Sequence, residues 1–171
     1  MSTTTTTSTL SAPRRSLEAA KFAHDMLFKL ATEFPEDKAA FQTSPTDNHL
    51  LWHLGHLAMD YHWFAAAIDG KPAGVSDEDN KLFGMGSKPL PDANAYPPLA
   101  ELRRRFDVGW KRFAAAAEAL REEDAPKPVF GESSGFLKDR LDTVDKVAWH
   151  DGWHAGQISG LRKALGLKGV F

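Results

Sequence analysis

The sequence of 171 residues contains no cysteine. Disulfide bonds and thiolate ligands are therefore excluded, and any transition-metal site has to use imidazole and carboxylate groups. The chain also has no run of about 18 apolar residues, the length that crosses a bilayer. Residues 1–9 are almost entirely Ser and Thr, without the basic start and apolar stretch of a secretory signal. We therefore expect a cytoplasmic protein that does not enter a membrane.

An excess of positive charge is absent too, since the formal net charge is -2. Nucleic-acid binding normally leaves a basic footprint, so it is not expected. The run Arg103-Arg104-Arg105 has no other basic cluster around it and is interpreted as a solvated helix face. The length suits one domain, which we place at residues 12–171, after a disordered Ser/Thr-rich tail at residues 1–11.

Four stretches show the three- and four-residue spacing of apolar side chains that predicts amphipathic helices. They cover residues 12–34, 48–68, 98–120 and 143–165. Gly70 and Gly166 follow the second and fourth stretches, where a left-handed glycine commonly ends a helix. Thr143 is interpreted as the N-cap of the fourth helix. No stretch alternates with the period of a strand, so the predicted fold class is all-α.

Residues 70–98 separate the second and third predicted helices and contain five prolines and four glycines. A loop of this length is unusual unless it crosses the molecule or serves a site. Helices of about 30 Å would let it run back along the bundle, so that the third helix starts parallel to the second. The short connections elsewhere indicate antiparallel neighbours. The prediction is a four-helix bundle in up-down-down-up order with a long Pro/Gly-rich crossing loop between helices 2 and 3.

Two histidines of the fourth predicted helix, His150 and His154, are four residues apart. One helical turn places both rings on the same face, within reach of one ion at bonds of about 2.0–2.1 Å. The same stripe continues through the apolar residues Val147, Ile158 and Leu161. A buried imidazole without a partner costs about 1–3 kcal/mol, so both rings need one. Because the pattern has low specificity, hydrogen bonding at a helix crossing or in a solvent-filled notch is the alternative.

A third imidazole on the second predicted helix would complete a metal site. His53 and His56 are both candidates, because residues three apart partly share a helix face. Periodicity alone does not choose between them.

Two motifs carry a family resemblance. The first is Trp-His-Leu-Gly-His-Leu-Ala at residues 52–58, with Trp63 seven residues after His56. The second, more specific motif is His-Asp-Gly-Trp-His-Ala-Gly-Gln-Ile at residues 150–158, followed by Leu-Arg at 161–162 and Leu-Gly at 165–166. In both motifs the chain resembles the DinB-like (DinB/YfiT) superfamily of four-helix metalloproteins, and the resemblance runs from the first predicted helix to Gly166.

This resemblance implies the up-down-down-up bundle and a three-histidine site for a divalent ion, most often nickel or zinc. Matched residue by residue, the helix-2 ligand is His56, because Trp63 follows it by seven residues. The other two ligands are His150 and His154. The resemblance further implies S-transfer with a small thiol of mycothiol, bacillithiol or glutathione type in some members and metal-dependent hydrolysis in others. A homodimer is also implied.

Three neutral histidines leave at least one coordination position open, as catalytic zinc sites do. We therefore expect Lewis-acid activation of a thiol or of water, with S-transfer as the leading hypothesis and hydrolysis as the second. Asp60 and Gln157 are the catalytic candidates: Asp60, four residues after His56, could orient an imidazole or accept a proton, and Gln157, three after His154, could hydrogen-bond a ligand. Asp151 is interpreted as exposed or supporting. The alternative from another class is a non-catalytic metal- or ligand-binding stress protein.

Four tryptophans flank the predicted ligands, namely Trp52, Trp63, Trp149 and Trp153. Large aromatic side chains are common in helical cores, so we interpret them as core residues. The alternative is that they wall an apolar pocket beside the metal, where a small-molecule ligand or substrate would bind.

Overall fold

A computed structural model describes residues 10–131 and 135–170 of the chain. Within these ranges the secondary structure is entirely helical, so the all-α prediction is confirmed. The helices are α1 (Ala12–Thr32), α2 (Leu50–Asp69), α3 (Asp77–Phe83), α4 (Leu99–Glu118) and α5 (Arg140–Ala164), with short 3-10 turns at Glu36–Lys38 and Ala93–Ala95. The four long helices match the predicted stretches. Most of the predicted tail, residues 1–9, lies outside the described ranges.

The helix ends follow local backbone chemistry. Gly70 and Gly166 have φ values of 73° and 69°, the left-handed conformation predicted for them. The N-cap of α5 is Asp139, whose carboxylate accepts a hydrogen bond from the backbone N–H of Asp142 at 2.8 Å. The prediction that Thr143 is the N-cap is wrong, because the helix begins earlier in the chain, where the Asp139 carboxylate caps a backbone N–H group of its first turn. Thr143 instead lies buried inside α5.

Contacts between the long helices fix their directions. For α2 with α4 and for α1 with α5, the contacting residues advance in the same direction along both helices, so each pair is parallel. These contacts join Tyr61 with Phe106, Asp69 with Arg112, His24 with Asp151 and Leu30 with Arg162. Between α2 and α5 the order reverses, because His53 meets His154 and Asp60 meets His150. The up-down-down-up order is confirmed.

The segment that crosses between α2 and α4 has more structure than the predicted loop. It contains α3, which begins where the hydroxyl of Ser76 accepts a hydrogen bond from the backbone N–H of Asp79 at 3.0 Å. This helix has only 7 residues, too few to display a helical period in the sequence. α3 packs against α2, and Phe83 at its C-terminal end is only 1% exposed.

A buried polar network joins three of the long helices near the centre of the bundle. The Tyr61 hydroxyl donates to Oδ2 of Asp151 at 2.7 Å, and Nδ1 of His24 donates to the Tyr61 oxygen at 3.0 Å. The His24 ring stacks on Trp110 of α4 with centroids 3.9 Å apart. Burial raises the pKa of the Asp151 carboxyl well above its usual range. Asp151 is therefore a core residue, and the exposed position considered from the sequence is wrong because Tyr61 supplies a buried partner.

Across the described ranges, no helix combines the length and the apolar character needed to cross a membrane.

Replacing Tyr61 with Phe tests this network. The variant Tyr61→Phe should lower the free energy of unfolding by about 1–3 kcal/mol, because it leaves two buried groups, Nδ1 of His24 and Oδ2 of Asp151, without their partner. Urea denaturation followed by circular dichroism measures the change. An unfolding midpoint equal to that of the wild type would show that the hydroxyl contributes nothing to stability.

Candidate metal centre

The antiparallel pair α2 and α5 brings three histidines together. His56 comes from α2, and His150 and His154 come from α5, where they lie one helical turn apart. One ring nitrogen from each lies within 4.8 Å of the other two, and all three residues are buried. These are the three residues that the sequence motifs selected, and the group they form can hold a metal ion.

The spacing within this cluster suits a small cation. Nε2 of His150 and Nε2 of His154 are 3.2 Å apart. A tetrahedral ion with bonds of about 2.0–2.1 Å holds its ligands roughly 3.3–3.4 Å apart. Two imidazoles at this separation can therefore share one ion with little movement of either ring.

Burial keeps two of the three rings, those of His150 and His154, neutral. Burial lowers the pKa of His150 to about 3, helped by the nearby His56, and it lowers the pKa of His154 as well. A neutral imidazole has a free lone pair, which is the form that binds a metal. At neutral pH these two rings are therefore ready to act as ligands without first losing a proton.

His56 is oriented by the crossing segment. Its Nδ1–H donates to the backbone carbonyl of Phe83, the last residue of α3, at 2.9 Å. Since a carbonyl can only accept, the proton of neutral His56 is on Nδ1, and Nε2 carries the lone pair. The Nε2 atom faces the cluster, where it lies 3.3 Å from Oδ2 of Asp60.

His53 contacts the side of the His154 ring that faces away from His150. The Nδ1 atoms of the two rings are 2.9 Å apart. When Nε2 of His154 offers its lone pair to a metal, its Nδ1–H donates to Nδ1 of His53. His53 is fully buried, and burial together with His56 and His49 lowers its pKa to about 3. The sequence left a choice between His53 and His56, and the structure places His53 one layer behind the cluster.

Asp60 adds a carboxylate to the cluster. Its Oδ2 lies 3.3 Å from Nε2 of His56 and 3.4 Å from Nε2 of His150. Burial raises the pKa of Asp60 to about 6, so the group is mostly ionised at neutral pH. An ionised carboxylate oxygen beside two imidazole nitrogens favours a cation among these atoms, so the residues present fit a divalent metal.

Gln157, the other catalytic candidate, is an exposed residue of α5 and does not lie among the buried imidazoles.

The four tryptophans divide into two groups. Trp52 is buried and stacks on the His56 ring with centroids 4.5 Å apart. Trp63, Trp149 and Trp153 are 49%, 53% and 57% exposed, so the interpretation as core residues is wrong for these three. Trp149 and Trp153 lie one helical turn apart on a solvent-facing side of α5, which is why neither ring is buried. Trp149 is adjacent to the cluster, with its centroid 6.4 Å from that of His150.

Sequence reasoning missed the backbone partner of His56. A carbonyl group leaves no signature in the sequence, and the short helix that presents it was not predicted. The glycine of the first motif was the available signal, because Gly55 marks a close approach of another segment to α2.

Residues 19–158 match the family model of the DinB superfamily, a range that runs from α1 to the second half of α5. A comparison with curated proteins gave no match.

Removing the His53 ring tests its supporting role. The variant His53→Leu should bind zinc or nickel about 10- to 100-fold more weakly, because the buried Nδ1–H of His154 loses its acceptor. A competition titration against a chromophoric chelator measures the affinity. The matched control is His62→Leu, since His62 also lies on α2 but is not one of the three clustered histidines. Equal affinities for the two variants would contradict the role given to His53.

Proposed function

Since this chain belongs to the DinB superfamily, we propose that it is a divalent-metal-dependent enzyme that activates a small thiol or water as a nucleophile. The observation that carries the proposal is the buried group of three imidazoles with a carboxylate in contact with two of them. Neither feature alone would suffice, because buried histidines often serve structure and surface carboxylates are common.

His56, His150 and His154 are the residues that would hold the ion, with nickel or zinc as the first candidates. Such an ion allows a thiol or a water molecule to lose its proton near neutral pH. Three protein ligands also leave room for a small molecule, which distinguishes a catalytic arrangement from a closed structural one.

We assign Asp60 the role of general base. Its carboxylate is in contact with two of the three imidazoles, so a nucleophile held in the cluster lies within reach of Oδ2. Burial raises its pKa towards neutrality, which strengthens it as a proton acceptor. Asp60 is also the acid–base candidate that its position four residues after His56 indicated in the sequence.

Exposed aromatic rings extend from the cluster to the surface. Trp149 lies beside His150, the rings of Trp149 and Trp153 have centroids 5.8 Å apart, and Phe136 lies 6.2 Å from Trp149. Such rings favour an apolar or aromatic small molecule over a charged one. We propose that the electrophilic substrate rests against them while its reacting group reaches the imidazoles.

S-transfer from a small thiol remains the leading reaction, because the family resemblance implies it. Hydrolysis is the second candidate, and the position of Asp60 favours it, since a buried base beside the cluster can also deprotonate water. A cytoplasmic location and a homodimer stay predictions that accompany the proposal.

Metal uptake and thiol turnover test the function. We expect the purified protein to bind about one equivalent of nickel or zinc, and the variant His150→Ala to lose it. With a small thiol and a chlorinated aromatic electrophile, the loaded protein should form thioether faster than the metal-free protein, as measured by chromatography. Failure to bind any divalent ion after soaking would refute the proposal. Metal binding without turnover of thiols or ester substrates would favour the non-catalytic alternative.

The role of Asp60 has its own test. Asp60→Asn should keep the metal but lower kcat by about 100-fold or more, because an amide cannot accept the proton. Metal content by mass spectrometry and kcat are measured on the same sample, with Asp25→Asn at an exposed position of α1 as the matched control. Loss of the metal from Asp60→Asn would show that Asp60 is a ligand and not the base.

A further inference from the structure

We propose that Phe83 and Gly55 together position His56, so that the end of α3 acts as a strap that sets the metal affinity of the cluster. The inference rests on the proposed metal binding and deepens it. It assigns a functional role to the segment that crosses between α2 and α4, which the proposed reaction does not otherwise use.

The first observation is the contact between Gly55 and Phe83. A Cβ atom on Gly55 would lie 2.1 Å from Cε1 of the Phe83 ring and 2.3 Å from Cδ1, shorter than real Cβ contacts. Gly55 lies in the middle of α2, where glycine is otherwise unfavourable. The absence of a side chain at residue 55 is therefore what allows the ring to rest on the backbone of α2.

The second observation is where this contact places the backbone of Phe83. The same residue that packs on Gly55 presents its carbonyl to Nδ1 of His56, one position further along α2, at 2.9 Å. That hydrogen bond fixes both the proton on Nδ1 and the direction of Nε2. A shift of the ring would carry the carbonyl with it, because the two belong to one residue at the end of a short helix.

Ordinary core packing is the competing explanation for the same contact. Phe83 is buried, and a packing role alone would lower the stability of the protein when the contact is disturbed. It would leave the metal affinity of the remaining folded protein unchanged. Affinity measured alongside the thermal midpoint therefore separates positioning from packing.

The experiment compares two glycine-to-alanine variants of the full chain. Gly55→Ala should bind zinc about 10- to 100-fold more weakly than the wild type, the range found when the outer partner of a ligand is lost. Gly160→Ala is the matched control, because Gly160 is also helical and a Cβ there meets nothing within 4 Å. Its affinity should equal that of the wild type. Wild-type affinity in folded Gly55→Ala would overturn the proposal.

A second residue change provides a rescue. Phe83→Leu keeps an apolar side chain but lacks two ring atoms, Cε1 and Cζ, that would contact a Cβ at residue 55. In a Phe83→Leu background, Gly55→Ala should therefore change the zinc affinity by less than about threefold, because the two changes are coupled. If Gly55→Ala lowered the zinc affinity as much in that background as in the wild type, Gly55 would act through something other than Phe83.

Hydrogen exchange on the wild type covers the case in which Gly55→Ala does not fold. Since coupling is reciprocal, saturating zinc should slow amide exchange in the peptide that covers α3. If saturating zinc left the rate of amide exchange in α3 unchanged, the proposed role of α3 would be overturned. If the wild type binds no zinc, nickel or other divalent ion, the proposed function itself fails, so the two failures are distinguishable.

Discussion

The antiparallel contact between α2 and α5 is the constraint on which the site depends. The opposed directions place His53 beside His154 and Asp60 beside His150 while His56 faces both rings of α5. With one of the two helices reversed about the same crossing point, His53 would instead lie near His150 and Asp60 near His154, since each residue rises 1.5 Å along the axis. The antiparallel order therefore decides which imidazole of α5 receives the supporting ring and which the carboxylate.

Burying polar side chains in a helical bundle costs free energy unless they gain hydrogen-bond partners, and the structure provides several of these partners. The carbonyl of Phe83 and the ring of His53 satisfy the outer nitrogens of His56 and His154. A separate network of His24, Tyr61 and Asp151 joins α1, α2 and α5 by two further buried hydrogen bonds. Burial lowers the pKa of His150 and of His154, so the desolvation that costs stability also prepares these two ligands.

Much of this arrangement could be predicted from the sequence because it follows helical periodicity. The i, i+4 spacing of His150 and His154 and the motif around His56 identify the three histidines before any coordinates are seen. What could not be predicted depends on contacts between distant segments. The hydrogen bond between His53 and His154 depends on how α2 crosses α5. The exposure of Trp149 depends on which face of α5 packs against the other helices. No pattern of side chains in the sequence could indicate the role of the Phe83 carbonyl, because it is a backbone group.

The most direct test of the central claim is X-ray absorption spectroscopy at the metal edge of the zinc-loaded protein. The account predicts three imidazole ligands at about 2.0–2.1 Å, visible by the multiple scattering of their rings. A spectrum with only oxygen ligands, or with a single imidazole, would contradict it, because the ion would then lie outside the cluster formed by His56, His150 and His154.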